Sequence, residues 1–360
     1  MKLFEIPMVV TSLVGLCFLA GSETPVARAD FTFGDPVNVE SVFPLFNPAA
    51  DAIACFSPDG LEMYLESDRA GGQGSYDLWV YKRALVGDDW GSPKNLGPAV
   101  NSASMEAMSS ITGDGLELYF CSDRPAGDWN FHIYVTRRAT RDSPWGPPTN
   151  LGTTVNTSSV EGGPTVSSDG LELYFHSNRP GYGDFDLYVS KRATRNDPWG
   201  PASNLGPAVN SPSNESAPYL SPDGLLLIFQ SPRPGGYGEF DLWMARRASR
   251  SAPWQAAVNL GLKINGPLGE YRACLAPDGP ALYFMRDNFP YSKAPILPIV
   301  DFNGDGKVDL VDLVMLINDW GKSNSVCDIG PMSWGDGKVD IEDLKVFMTY
   351  YEKENPPVKP

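Results

Sequence analysis

Five acidic residues share one register along this 360-residue chain: Asp51, Glu106, Glu161, Glu215 and Glu270 each precede an Asp-Gly pair by eight residues. Those pairs begin at Asp59, Asp114, Asp169, Asp223 and Asp278, so the acids recur every 54 or 55 residues. Carboxylates gathered by a repeat can serve three kinds of chemistry. Two of them roughly 5 to 9.5 Å apart can cleave a glycosidic bond. Several can hold a cation or accept from ligand hydroxyls. Or each can pair with an arginine and tie one repeat to the next. Arg69, Arg124, Arg179 and Arg233 follow the first four Asp-Gly aspartates by ten residues, and Asn288 takes that place in the fifth. A carboxylate–guanidinium network is the structural reading of this pattern, and it leaves one acid short of a partner. The repeat marks out no catalytic pair among Glu106, Glu161, Glu215 and Glu270, although a catalytic pair should break symmetry. The loops that open at these arginines are glycine-rich and carry Tyr76, Trp129, Tyr182 and Tyr237. Flat apolar rings beside hydroxyl acceptors suit a sugar.

A second kind of chemistry sits near the C-terminus. Asp301, Asn303 and Asp305 place side-chain oxygens at alternate positions, Gly306 allows a sharp turn, and Lys307 offers its carbonyl. Asp309 acts through water and Asp312 closes the set, the spacing of a calcium loop of the EF-hand kind. A second copy ends in Asp336, Lys338, Asp340 and Asp343. Its early ligand positions fall on Met332 and Trp334, which cannot coordinate, and Asp328 lies four residues too early unless the loop bulges.

The acids must be positioned by the repeat itself. Tryptophan recurs at Trp90, Trp145, Trp199 and Trp254, in step with the Asp-Gly pairs. In the first unit Ala52–Ser57 is apolar, Pro58-Asp59-Gly60 turns, Leu61–Ser67 and Tyr76–Lys82 read as strands, and Trp90–Val100 supplies a fourth. Four strands in about 54 residues, repeated, describe propeller blades. Phe33–Val39 matches the Trp90–Leu96 segment, so an orphan fourth strand precedes the first unit and can complete the last. The fold class is all-β, a five-bladed β-propeller whose N-terminal strand closes the last blade, followed by a small α-helical EF-hand-like domain. The five acids then begin the innermost strands and ring one mouth of the central channel, and the aromatic loops open on that same face.

The chain has 28 basic against 44 acidic residues, a formal charge of −16, so a nucleic acid is not an expected partner. Residues 1–29 read as a signal peptide: Lys2, an apolar run over 8–20, and the small residues Ala27 and Ala29 before the cut. A secreted, extracellular or cell-surface location follows, with no membrane span in the mature chain. The expected organisation is signal peptide 1–29, propeller 30–288, Pro-rich linker 289–300, calcium module 301–352 and tail 353–360. Of the cysteines, Cys55 and Cys274 share a register and could form a ring-closing bridge, but buried free thiols are the preferred reading. His132 stands where Asp77, Asp186 and Asp241 stand in other repeats, a strand-tying position, and His176 has no obvious Cys or Ser partner.

Ser57-Pro58-Asp59-Gly60, Ser221-Pro222-Asp223-Gly224, Ser122-Asp123-Arg124-Pro125 and Phe185-Asp186-Leu187-Tyr188 resemble the TolB-type, WD-like propeller repeats over about residues 31–290. That resemblance implies the fold and leaves the function open, because such propellers serve as binding platforms, scaffolds and enzymes, some five-bladed ones being glycosidases. The two loop-plus-helix units over about 301–351 resemble a type I dockerin. This implies a module folded by Ca2+ that binds a cohesin-like protein or surface assembly, with contacts near Leu310 and Val311 and near Ile341 and Glu342. Dockerins usually attach glycan-degrading enzymes to extracellular assemblies, so a polysaccharide is the implied ligand. The expectation is a secreted binding or scaffold protein, with a glycoside hydrolase using ring carboxylates as the alternative.

Overall fold

The computed structural model describes residues 31–39, 46–47, 51–124, 129–275, 280–286, 291–322, 325–330 and 338–356. The segment read as a signal peptide, the Asp278 turn, Asn288, Met332, Trp334 and Asp336 lie outside the described residues. Two short N-terminal strands, β1 (Phe31–Phe33) and β2 (Val37–Asn38), precede the first blade. That blade is β3 (Asp51–Phe56), β4 (Glu62–Ser67), β5 (Asp77–Lys82) and β6 (Lys94–Asn95), hydrogen-bonded in sequence order. Blade two repeats it as β7 (Glu106–Ile111), β8 (Glu117–Ser122), β9 (His132–Arg137) and β10 (Thr149–Asn150). Blade three is β11 (Glu161–Val166), β12 (Glu172–Ser177), β13 (Asp186–Lys191) and β14 (Ser203–Asn204). Blade four is β15 (Ser216–Leu220), β16 (Leu226–Ser231), β17 (Asp241–Arg246) and β18 (Val258–Asn259). Each fourth strand pairs over two residues only, much less than the span 90–100 read for the first unit.

The turn chemistry explains the repeat. Gly60 takes a φ of 70°, in the left-handed region that other residues enter at a cost. Asp59 accepts from the Ser57 hydroxyl at 2.6 Å and from the Leu61 N–H at 3.2 Å, which fixes the Ser-Pro-Asp-Gly order.

Blade five is where the sequence reading needs correction. Its strands are β19 (Glu270–Leu275), β20 (Ala281–Arg286) and β21 (Tyr291–Pro298). The segment expected as a linker over 289–300 is thus the blade's third strand. Tyr291, Ala294 and Ile296 are buried along it. Pro295 sits between two stretches of pairing: β2 binds at Ser292 and Lys293, β1 at Ile296 to Pro298. A proline there removes no needed donor, because its carbonyl still accepts from Gly34 at 2.8 Å. The N-terminal strands therefore do close the last blade, pairing against a C-terminal strand.

The core lies between blades. One apolar cluster joins blades one and two around Tyr64, Leu78, Leu118 and Phe120, and others follow at each seam around the ring. Three seams also carry a buried charge pair. Arg138, Arg192 and Arg247 reach back to Glu62, Glu117 and Glu172 of the preceding blade at 2.7, 2.8 and 2.7 Å. Each guanidinium also lies over the tryptophan of its own blade, Trp145, Trp199 or Trp254, 4.4 to 4.6 Å from the ring centre. Leu226 and Ala281 replace the acid in blades four and five, so the two seams around blade five lack this particular tie. The cysteines Cys55, Cys121, Cys274 and Cys327 are buried and free, which answers the question of a ring-closing bridge.

Two helices, α1 (Leu310–Asn318) and α2 (Ile341–Glu354), form the C-terminal module, the second running beyond the expected end at 352. They enclose Val300, Phe302, Val308, Leu316, Cys327, Ile329, Val339 and Phe347. No helix among the described residues is long and apolar enough to cross a membrane.

Candidate functional site

Four register acids begin their innermost strands and Glu215 immediately precedes its own, but none of the five faces the channel. Glu106, Glu161, Glu215 and Glu270 have no exposed surface, and Asp51 almost none. Each is enclosed by groups of its own blade and of the segment that leads in from the preceding one. Glu106 accepts from Ser102 N–H at 2.8 Å, from the Ser102 and Ser122 hydroxyls at 2.6 and 3.0 Å, and from Arg124 at 2.7 Å. Glu161 repeats the set with Thr157, Ser177 and Arg179, and Glu215 with Ser211, Ser231 and Arg233. Asp51 pairs with Arg69. The fifth acid has a partner after all: Arg286, two residues before Asn288, stands 3.4 Å from Glu270, which also accepts from Gly266 N–H at 3.0 Å. The arginines then reach the carbonyls of Val100, Val155, Val209 and Ile264. This geometry makes the five acids blade clamps; a substrate cannot reach carboxylates so enclosed. His132 joins the clamp of its neighbour, with Nδ1 3.2 Å from Glu161, while Asp186 ties the Tyr182 and Gly183 N–H groups and Asn204.

The residues that do differ from blade to blade line the channel. Each innermost strand carries a bulge, and in four blades its residue has a left-handed backbone: Met108 (φ 52°), Gly163 (55°), Ala217 (47°) and Arg272 (54°). Holding such a residue costs about 1–3 kcal/mol for a side chain larger than glycine. A second-strand residue of the preceding blade supplies the compensating acceptor. Glu66 takes Met108 N–H at 2.6 Å, His176 Nδ1 takes Ala217 N–H at 3.3 Å, and Gln230 takes Arg272 N–H at 3.1 Å. Cys121 meets the Gly163 backbone, and burial pushes its thiol up to about 12. Glu66 also pairs with Arg272 across the seam. Sequence reading missed this layer, because its members, Glu66, Cys121, His176 and Gln230, share a position and no chemistry except acceptance.

His176 is the clearest case. Gly162 and Gly163 make room for it, since a Cβ on Gly162 would stand 2.6 Å from Nε2. Accepting at Nδ1 places its proton on Nε2. Burial first, and the Arg272 charge second, push its pKa down from 6.5 to about 4. Because the folded value lies below the unfolded one, this contribution is complete above pH 6.5 and is lost as pH falls towards 4. The propeller should lose about 3 kcal/mol over that window from this group. Urea midpoints measured from pH 7 to 4 should show the loss, and His176→Gln, which keeps an acceptor as Gln230 does, should flatten it. Equal slopes in the two proteins would remove His176 as the cause.

Around the channel, Trp129 is 70% exposed, Tyr182 50% and Tyr237 47%. They stand in the β8–β9, β12–β13 and β16–β17 connections, all at one end of the propeller. Tyr76 is half-buried, and its phenol lies above the usual tyrosine range through burial first, then the charges of Asp68 and Glu66, with Arg272 opposing.

In the module, the first loop is organised by its own amides. Gly304 and Gly306 take φ of 74° and 86°. Asp301 accepts from the N–H groups of Gly304, Asp305 and Gly306, Asn303 from Asp305, and Asp305 from Lys307. Asp312 is fully buried and accepts from Phe302, Asn303 and Asp309 N–H at 2.7, 3.3 and 3.0 Å. The donor set is all hard oxygen, the chemistry calcium takes. Among the described residues, however, no three acidic, His or Cys side chains are gathered closely enough to cage a metal. Binding would require carboxylates to turn from amides to the ion.

The second half answers the puzzle of Asp328. Asp343 accepts from Ile329 and Gly330 N–H at 2.5 and 2.7 Å and from Asp340 N–H at 2.6 Å, as Asp312 does from Phe302, Asn303 and Asp309. Ile329 is therefore the counterpart of Phe302, and Asp328 that of Asp301. The second loop has the longer register starting at Asp328, with four inserted residues before its close. Leu310, Val311 and Ile341 are exposed, and Glu342 carries an exposed ion pair with Lys345. Val314 and Ile317 extend the exposed apolar face of α1.

These features define a five-bladed β-propeller followed by a two-helix module. No protein-family model and no curated protein matches the chain. Among solved structures it is similar to TolB from Acinetobacter baumannii (16% identity, TM-score 0.44), covering 69% of this chain and 55% of that one. It is likewise similar to an endo-arabinase from Bacteroides thetaiotaomicron (16%, TM-score 0.49, 75% and 97%) and an α-L-arabinofuranosidase from Lactobacillus brevis (13%, TM-score 0.46, 73% and 94%). At such identities the likeness is one of fold.

Proposed function

We propose that the protein is a secreted glycan-binding platform, tethered through a calcium-dependent C-terminal module to a cohesin-like partner. The observation that carries the glycan reading is the set of exposed rings, Trp129, Tyr182 and Tyr237, on one end of a rigid ring. Large apolar side chains left in water on adjacent loops favour a partner that covers them. The glycosidase reading loses its best candidates, since the register acids are enclosed clamps. Calcium would be held by Asp301, Asn303, Asp305, the Lys307 carbonyl and Asp312, with Asp309 acting through water. Asp328, Asp336, the Lys338 carbonyl, Asp340 and Asp343 would form the second set. The exposed apolar face of α1 is the surface offered to the partner.

Affinity electrophoresis of the full chain through neutral and acidic polysaccharides tests the platform. Retardation by at least one polysaccharide is expected, and a Trp129→Ala/Tyr182→Ala/Tyr237→Ala triple variant should lose most of it. Retardation untouched by the triple variant, or none with any polysaccharide, would sink the glycan reading. Calcium is tested separately: chelator should abolish the helical circular dichroism of the module and leave the propeller's unfolding transition unchanged. A helical signal indifferent to chelator would argue against calcium.

A further inference from the structure

We propose that the upper channel is a binding site for a single carboxylate group, with Arg272 as the residue that receives it. The cavity there measures about 60 Å³, and Arg272 is the one cation among the described residues that line it. Its counterparts in the other blades, Ile53, Met108, Gly163 and Ala217, carry no charge. Beneath it a larger chamber of about 240 Å³ continues the channel, lined by apolar residues such as Phe56, Ile111 and Leu220.

The guanidinium is aimed rather than merely present. Glu66, itself nearly fully buried, holds Nη1 from behind, while Gln230 fixes the backbone N–H of Arg272. Among the described residues Nε and Nη2 have no protein acceptor, and the side chain keeps 21% of its surface open. A guanidinium fork with one edge held and another edge open matches a planar carboxylate better than any other common group. Size and charge narrow the choice. The space beside Arg272 holds roughly four waters' worth of volume, enough for a carboxylate group. The Glu66–Arg272 pair is neutral overall and Glu66 is nearly fully buried beside it, so a doubly charged phosphate would meet more repulsion than a monoanion.

Two sources could bring this chemistry: a small carboxylic acid, or the uronate at the end of an acidic glycan. Only the second rests on the glycan reading above. Isothermal titration of the full chain with acetate, galacturonate and galactose separates them. Either carboxylate should bind, galactose should not, and binding by acetate alone would leave the site standing while removing its link to glycans. Arg272→Met, the side chain found at position 108, should weaken carboxylate binding at least tenfold. Because that change strands Glu66, the Glu66→Gln/Arg272→Met double variant is measured beside it. A double variant with the wild-type unfolding midpoint and no carboxylate binding supports the site. Undiminished binding by that variant, equal binding of galactose and galacturonate, or no binding of either carboxylate at millimolar concentration would overturn it.

Discussion

Glu117→Ala is expected to destabilise the propeller by about 3–5 kcal/mol, the cost of leaving a buried charge without its partner. Glu117 is the junction of the seam between blades two and three. It accepts from Arg192 at 2.8 Å, from Arg137 at 2.9 Å and from the Tyr119 hydroxyl at 2.9 Å. Burial alone would raise its pKa, yet hydrogen bonds from Arg137 and Arg192 hold the carboxyl below its ordinary value. The stability it contributes is thus present above the unfolded carboxylate range and is lost as pH falls. Arg192 keeps only 2% of its side chain in contact with water, so the alanine variant strands a guanidinium between two blades. By contrast, Glu342→Ala on α2 breaks an exposed pair with Lys345 and should cost less than about 1 kcal/mol. Replacing both charges, Glu117→Leu with Arg192→Met, should recover most of the loss, since blades four and five already use Leu226 and Ala281 there. Urea unfolding followed by tryptophan fluorescence measures all of them. A single-variant loss below about 1 kcal/mol, or a double variant no better than the single, would show that the tie is peripheral.

The repeat was fully legible because a period of 54 or 55 residues survives any ambiguity about single strands. What that period does not encode is depth. The register acids and the channel residues both belong to innermost strands, and only burial separates a clamp such as Glu161 from a lining residue such as Met108. Register also misled at the ends of the fold. Arg286 performs the task expected at Asn288 because a long side chain can reach Glu270 from a neighbouring position. The prolines of 289–300 read as a linker, since composition outweighs the alternation of Ala294 and Ile296 and nothing local reveals that β1 and β2 return to pair there. In the second calcium-like loop, spacing counted backward from Asp343 pointed at Met332 and Trp334. The backbone instead carries Ile329 and Gly330 to Asp343, a pairing that no fixed spacing from Asp343 announces. The charge ties between seams were available as Glu62, Glu117 and Glu172 in step with Arg138, Arg192 and Arg247. They became meaningful only once blade neighbours were known.

Asp312→Ala should unfold the C-terminal module even in calcium, while the propeller transition stays in place. The carboxylate serves three backbone donors in a protein-filled site, and each one left unsatisfied costs about 1–3 kcal/mol. One of them closes the capping box in which Asp309 accepts from the first turn of α1 and Asp312 answers to the Asp309 N–H. A module of this size, with a single core around Phe302, Leu316 and Phe347, has only about 3–5 kcal/mol to lose. Asp343→Ala should be equally damaging, because Asp343 binds Ile329, Gly330 and Asp340 in the same way. Helical ellipticity and its thermal transition are the readout, with the propeller's fluorescence as the internal control. If calcium contributes through these residues, Asp312→Asn, which keeps an acceptor and loses the charge, should retain part of the helix and weaken the response to chelator. A folded Asp312→Ala module would mean that the first half does not depend on its closing aspartate, and a folded Asp312→Ala/Asp343→Ala module would make the matched geometry of the two halves a product of ancestry rather than of stability.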